Sequence, residues 1–151
     1  EAAPHLKGES SAFVIDMPEM SYADSNMEQP GKLMRVSAIT LKNGHKYSVM
    51  FGDIVKKIVA AANKSHWSSH FRFLGVAYGG EGAPDYLVVS YAGSWAELGQ
   101  KSDPPMWDMV AKVYGKKQAN QMRAQIGETI LNQSSHLDSY SKDMSYIPSG
   151  H

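Results

Sequence analysis

A chain of 151 residues is of the size expected for one domain. Its 15 basic and 15 acidic side chains cancel, so the chain lacks the basic field with which proteins bind nucleic acid or an anionic membrane surface. No apolar run approaches the roughly 20 residues that span a bilayer, and the absence of cysteine excludes disulfides, thiolate metal sites and a cysteine nucleophile.

The chain begins Glu1-Ala2-Ala3-Pro4 without an initiator methionine. A mature protein left after removal of a signal peptide begins in this way. From this feature we expect a secreted or periplasmic protein.

Residues 1–32 are predicted to form an irregular N-terminal arm. Proline and glycine interrupt the segment repeatedly, and only residues 11–15 have strand-like content. The methionines in and next to this arm are Met17, Met20, Met27 and Met34. Thioether side chains ligate cuprous copper, but they also fill irregular gaps where an arm lies across a surface. We expect packing against the domain's own edge or a partner subunit.

The next two elements are a strand and a long helix. In LMRVSAITL (33–41), Met34, Val36 and Ala38 alternate with polar Arg35 and Ser37, which is the pattern of a half-buried strand. Asn43-Gly44 then turns the chain, and apolar residues recur at intervals of three and four over residues 46–63. This spacing places one apolar stripe along a helix.

A hairpin and three shorter elements follow. Residues 71–78 and 85–92 are rich in aromatic and β-branched residues and flank the loop GGEGAP. Ser94 is suited to cap a short helix at 95–98, and a second short helix is predicted from Met106 until Gly115. A longer helix is predicted over 116–133, then a last strand over 135–141 and a tail, 143–151.

This order, strand-helix-strand-strand-helix-strand, predicts an α+β domain over residues 33–142. Each apolar helix stripe must be buried, so both long helices are expected on one face of a four-stranded antiparallel sheet. This is the ferredoxin-like βαββαβ arrangement.

Two stretches carry a family resemblance. LKNGHKYSVMFGDIVKKIVAAANKS (41–65) resembles the strand-turn-helix opening of the dimeric α/β-barrel superfamily, which includes NIPSNAP-like proteins and antibiotic-biosynthesis-type monooxygenases. PDYLVVSYAGSWAEL (84–98) is similar to that group's third strand and the short helix after it. The resemblance implies a homodimer paired sheet to sheet, with a small organic molecule or haem between sheet and helices. Several members catalyse oxidations without a bound metal. The chain contains no catalytic motif of any member, so no residue role is transferred.

The candidate catalytic pair is His136 and Asp138, which share one face of the predicted last strand with Tyr140. On the helix side of the sheet, the imidazole is a candidate general base and the carboxylate its orienting partner. The alternative places Leu137 on the helix side and leaves this pair exposed or in a dimer contact.

Other side chains are candidates for holding a ligand. His66 and His70 are four residues apart, a metal-ligand spacing on a helix, but no carboxylate accompanies them and we predict no metal site there. The candidate ligand-binding residues are His70, Arg72, Tyr78, Tyr86, Trp95, Trp107 and Tyr140. Arginine pairs bidentately with carboxylates, and large aromatic rings wall planar ligands.

We therefore expect a protein that binds a small apolar or aromatic molecule between sheet and helices. One alternative is a cofactor-independent oxidase or monooxygenase that uses His136 or His70 as base in the same cavity. Another is a structural or interaction module whose core is filled by Met and Trp side chains. No cofactor is predicted; haem and copper are the groups considered.

Overall fold

The computed structural model describes residues 11–23 and 33–141, which form an α+β domain. The strands are β1 (Ala12–Asp16), β2 (Leu33–Leu41), β3 (Arg72–Gly79), β4 (Tyr86–Ala92) and β5 (Ile130–Ser139). The helices are α1 (His45–Ser65), α2 (Trp95–Leu98), α3 (Met106–Tyr114) and α4 (Lys116–Thr129), and a 3-10 turn, Pro18–Met20, follows β1. The α+β class predicted from the sequence is confirmed.

The strands form one antiparallel sheet in the order β1-β3-β4-β2-β5. The prediction of a four-stranded sheet is therefore wrong by one strand, because part of the arm pairs with the free edge of β3. This strand is the short apolar stretch Ala12–Asp16, and its register shifts between Phe13 and Val14. A strand edge has unpaired N–H and C=O groups, and pairing with β1 satisfies them along β3.

Strand β2, which is paired on both sides, carries buried apolar residues on both faces. Leu33, Ile39 and Leu41 are buried at odd positions, and Val36 is buried at an even position. Arg35 and Ser37 line the space beneath the helices together with Ile39. Alternation divides a strand into two faces but does not say which face the helices cover.

Helix α1 forms because its apolar residues recur at helical spacing, and the buried ones lie on one stripe: Phe51, Ile54, Val55, Ile58, Val59, Ala61 and Ala62. The helix ends at His66, which adopts the left-handed conformation (φ 49°, ψ 53°), and the next amide, Trp67 N–H, donates to Ala62 O at 3.0 Å. This ending turns the chain back toward the sheet and places Trp67 in the core.

The last helix and strand meet at a boundary that the sequence did not predict. The predicted helix 116–133 ends at Thr129, and β5 begins with the next residue, Ile130, which pairs with Leu41. Ile130 fits the helical apolar spacing, but pairing with β2 holds it in the sheet. The Thr129 hydroxyl, fully buried, donates to Ile126 O at 2.7 Å and satisfies the polar group at this transition.

The long helices pack on the same face of the sheet. One core cluster joins α1, α3, α4 and Trp67, and a second joins α1 to Ile39, Leu41 and Phe73 of the sheet. Ile126 of α4 packs against both clusters, so α4 lies beside α1 over the strands. The protein is thus a two-layer structure with its core between sheet and helices.

The described part of the arm packs on its own domain. Met20 is 2% exposed and belongs to the cluster that joins α1 to the sheet. Met17 passes close to β3, where a Cβ at Gly75 would lie 3.0 Å from the Met17 sulfur. The expectation of arm packing is confirmed for these methionines; Met27 and the tail 143–151 lie outside the described residues.

A serine hydroxyl fixes the turn between Met17 and Met20 to the sheet. Ser21 Oγ donates to Met17 O and accepts from Phe73 N, both at 2.8 Å. The adjacent Tyr22 makes an isolated antiparallel bridge with Phe71. These bonds hold the segment in one register against β3.

Within residues 11–23 and 33–141, no helix combines the length and the apolar character needed to cross a membrane.

Replacement of Met20 by alanine tests whether the arm is part of the core. We expect Met20→Ala to lower the free energy of unfolding by about 2–4 kcal/mol, because it removes a buried side chain between the arm and α1. Urea denaturation measures the change. Ile15→Ala, at an exposed position of the same arm, is the control and should cost less than about 1 kcal/mol. If Met20→Ala lowers the free energy of unfolding as little as Ile15→Ala does, the arm does not contribute to the core.

Candidate functional site

A cavity of about 870 Å³ lies between the sheet and the helices. This volume falls in the range of roughly 300–1,000 Å³ that is common for small-molecule sites. Its walls come from β2, β3 and β4, from α1, from the connection 67–71, from residues 90–93 and 97–107, and from the end of α4 and the start of β5. The cavity is therefore built by elements from most of the described chain.

One part of the cavity wall is apolar. Its side chains come from both layers: Ile39, Phe51, Val55, Ile58, Phe71, Phe73, Val88, Met106, Trp107, Ile126 and Ile130. Several of the aromatic rings contact one another, with centroids 6.1 Å apart for Phe51 and Phe73 and 5.9 Å apart for Phe71 and Phe73. The fixed rings present an apolar surface to the cavity.

Another part of the wall is polar, because β2 carries no large apolar side chain on its helix side between Leu33 and Ile39. Arg35 and Ser37 of β2 and Ser90 of β4 take these positions, and Gln133 of β5 borders the same space. Ser37 Oγ and Ser135 Oγ lie 2.8 Å apart, within hydrogen-bonding distance across the β2–β5 pair. The cavity exists at this point because serine side chains do not reach the helices.

Hydrogen bonds attach the wall that runs from α2 to α3. Trp67 Nε1 donates to Pro104 O at 2.7 Å, and Ser68 Oγ donates to Asp103 O at 3.3 Å. Since Trp67 is buried in the helical core, its hydrogen bond to Pro104 O connects this wall to that core.

Helix α2 has its own local stabilisation. Ser94 Oγ accepts from Glu97 N at 3.1 Å, and the Glu97 carboxylate accepts from Gly93 N at 2.8 Å. This is close to a capping box. In that motif the N-cap side chain and the side chain three residues later each accept a hydrogen bond from a backbone N–H near the other residue. The predicted cap by Ser94 is confirmed.

Two of the ligand-binding candidates border the cavity. Trp107 lines it from α3, and His70 lines it from the connection before β3, where its ring stacks on Tyr22 with centroids 4.8 Å apart. Tyr86 lies nearby on the helix side of β4, stacked on Phe51 at 5.2 Å, as part of the packing beneath α1.

The other candidates lie elsewhere. Trp95 is 68% exposed and Tyr78 is 75% exposed, so neither forms a cavity wall. Arg72 is at an even position of β3, directed away from the helices, and pairs with Asp16 at 3.3 Å. Tyr140 follows β5 and does not line the cavity; its hydroxyl is buried without a hydrogen-bond partner among the described residues.

His136 and Asp138 lie on the sheet face opposite the helices. His136 is opposite Val36 in the β2–β5 pairing, whereas Ser135 contacts Ser37 on the cavity side. The structure thus has the alternative placement, with Leu137 paired to Arg35 on the helix side and the pair exposed. His136 Nε2 and Asp138 Oδ2 are 3.3 Å apart, but the sheet separates them from the cavity.

Arg35 is a cavity residue that the sequence reasoning missed. It lies near the start of β2, which is paired on both sides, and Nη2 donates to Leu98 O at 3.3 Å. Its position between Met34 and Val36 marked it as a solvent-facing residue. The sequence contained one indication of this position. Both faces of β2 carry apolar residues, so protein can cover either face, and a polar residue on either face can border a space lined by protein.

Burial and a neighbouring negative charge raise the pKa of one side chain near the cavity. The pKa of the Tyr86 hydroxyl is raised above its ordinary value of 10.0, first because burial penalises the phenolate and second because Asp85 is negatively charged. Tyr86 is therefore held in its neutral form beneath α1.

The described residues contain no group of three or more His, Cys, Asp or Glu side chains arranged to hold a metal ion.

Searches of protein-family models, curated proteins and solved structures found no match to this chain.

The raised pKa of Tyr86 predicts a loss of stability at alkaline pH. Its contribution is fully present below the unfolded pKa of about 10 and is lost as pH rises through the higher folded pKa, because the unfolded chain ionises first. Tyr86→Phe keeps the ring but has no ionisable hydroxyl, so we expect its stability to fall less steeply above about pH 10. Urea denaturation across this pH range measures the difference.

Tyr78→Phe removes a hydroxyl from an exposed ring of the same sheet and serves as the control. It should keep the wild-type pH profile. If Tyr86→Phe also keeps that profile, burial of Tyr86 does not control the alkaline transition.

Proposed function

We propose that the protein binds a small organic molecule in the cavity between the sheet and the helices. The observation that supports this proposal best is the cavity itself, whose wall combines aromatic and aliphatic side chains with polar ones from β2, β4, the connection 67–71 and residues 97–102. Ligand sites in proteins generally have this composition, since apolar walls supply binding energy and polar groups fix orientation. The expected ligand has an apolar or aromatic body.

A ferredoxin-like core belongs to the same proposal. The strands β3-β4-β2-β5 are antiparallel neighbours, and α1 and α4 connect β2 to β3 and β4 to β5. This order is consistent with the βαββαβ unit, with β1 added at its edge. Sheet-to-sheet dimerisation and secretion stay predictions.

The enzymatic alternative now depends on a different residue. His136, the first candidate for a base, is across the sheet from the cavity, whereas His70 borders it. A cofactor-independent oxidation in this cavity would therefore use His70 as base. The filled-core alternative would need Met and Trp side chains to close the space between the layers, and among the described residues a cavity lies there, which favours the binding proposal.

Filling the cavity tests the binding proposal. Val88 lines the cavity from the middle of β4, so Val88→Trp is expected to weaken binding of a fluorescent apolar probe at least tenfold, because the indole would occupy the probe's volume. Fluorescence titration with an anilinonaphthalene dye measures the dissociation constant.

Val49→Trp makes the same substitution at an exposed position of α1 and is the matched control. Circular dichroism must show that both variants are folded. The proposal fails if the dye does not bind the wild-type protein, or if both variants bind it as the wild type does.

A further inference from the structure

Arg35 is held in the cavity wall without a carboxylate partner. Among residues 11–23 and 33–141, no Asp or Glu oxygen lies within 4.0 Å of its guanidinium nitrogens, and its one side-chain hydrogen bond is to Leu98 O at 3.3 Å. A guanidinium has five N–H donors, so this bond leaves most of them for another acceptor. Arg72 provides the contrast, since it is also on a strand but pairs with Asp16 on the opposite face.

The surroundings of Arg35 are polar but carry little negative charge. Ser90 is directly opposite Arg35 in the β2–β4 pairing, and Ser37 lies two positions along β2 on the same face. Both line the cavity and supply hydroxyl donors next to the guanidinium. An anionic group at Arg35 would therefore meet further hydrogen-bond donors.

The charged side chains of the cavity wall favour an anion. They are Arg35, Lys101 and Glu97. The Glu97 carboxylate is already engaged, because it accepts from Gly93 N at 2.8 Å in the cap of α2. Two cations against one carboxylate give the described cavity wall a positive character.

Another part of the cavity wall is apolar, with rings such as Phe51, Phe73 and Trp107. A ligand that satisfies both parts of the wall has an apolar body and one anionic group. The planar guanidinium fork matches the two oxygens of a carboxylate, with which arginine forms paired hydrogen bonds. A single arginine suits one negative charge better than the two of a phosphate monoester.

We propose that the cavity binds amphipathic monocarboxylates, with the carboxylate on Arg35 and the apolar body against the aromatic wall. This inference rests on the proposed binding function and adds the chemical class of the ligand. In this assignment Arg35 determines specificity: it selects the acid over neutral molecules of the same shape.

The test compares two probes that share one fluorescent body, pyrenebutanoate and pyrenebutanol. The hydrophobic effect alone favours the alcohol, because it is the less soluble in water. We expect the wild-type protein nevertheless to bind the acid about tenfold more tightly, as charge-assisted hydrogen bonds allow. Fluorescence titration at pH 7 gives both dissociation constants.

The variants assign the preference to Arg35. Arg35→Met keeps a long apolar side chain without the charge and is expected to abolish the preference, while the dissociation constant of the alcohol changes by less than about twofold. Arg35→Lys should restore part of the preference, since it keeps the charge but not the fork. Arg72→Met removes an arginine from the opposite face and should bind both probes as the wild type does.

The outcomes separate the two proposals. If the wild-type protein binds acid and alcohol equally, or if Arg35→Met keeps the preference, the carboxylate assignment is wrong and the cavity still binds apolar molecules. If neither probe binds, the proposed function fails. The wild-type comparison does not depend on any variant, so it decides the assignment even if Arg35→Met does not fold.

Discussion

The helix-facing side of β2 is the constraint on which the rest of the structure depends. At one end Ile39 and Leu41 pack with Phe51 and Phe73, and these large side chains fill the space between the layers. In the middle of the same face the residues are polar, and the space remains open as the cavity. Close packing favours a filled space between the sheet and the helices. The serine side chain in the middle of β2 is too small to fill it.

The walls of the cavity are stabilised by packing and hydrogen bonds on two sides of the domain. Trp67 is buried among the helices and donates to Pro104 O, so the helical core positions the wall that runs toward α3. On the other side of the domain, Met20 packs beneath α1 and Ser21 bonds to β3. The arm and the wall therefore hold α1 and the sheet together around an open space, which compensates for the apolar contacts missing there.

This arrangement has a chemical consequence for the proposed ligand. The cavity has an apolar part of its wall and a part with Arg35, Ser37 and Ser90, so it can distinguish the apolar and polar parts of a guest molecule. A binding site with such polarity orients its ligand as well as retaining it. An enzyme acting on that ligand would need a base at the cavity, and His70 is the histidine of the described residues in that position. The exposed pair of His136 and Asp138 lies across the sheet and has no part in either proposal.

Residue pattern alone determined the element types. Helical spacing identified α1, and the β-branched and aromatic content of residues 71–78 and 85–92 identified the hairpin β3–β4 within one residue at each end. Ser94 identified the cap of α2. These predictions were correct because helix spacing, strand propensity and capping each depend on neighbours close in sequence.

Tertiary structure decided the rest. Whether residues 12–16 form a strand depends on the free edge of β3, about 60 residues further along the chain. Pairing of Ile130 with Leu41 ended α4 sooner than its apolar spacing indicated. The side of β2 that the helices cover placed Arg35 at the cavity wall and His136 on the opposite face of the sheet, and both faces of that strand carry buried apolar residues. Alternation along a strand separates its two faces, but only packing against a second layer chooses between them.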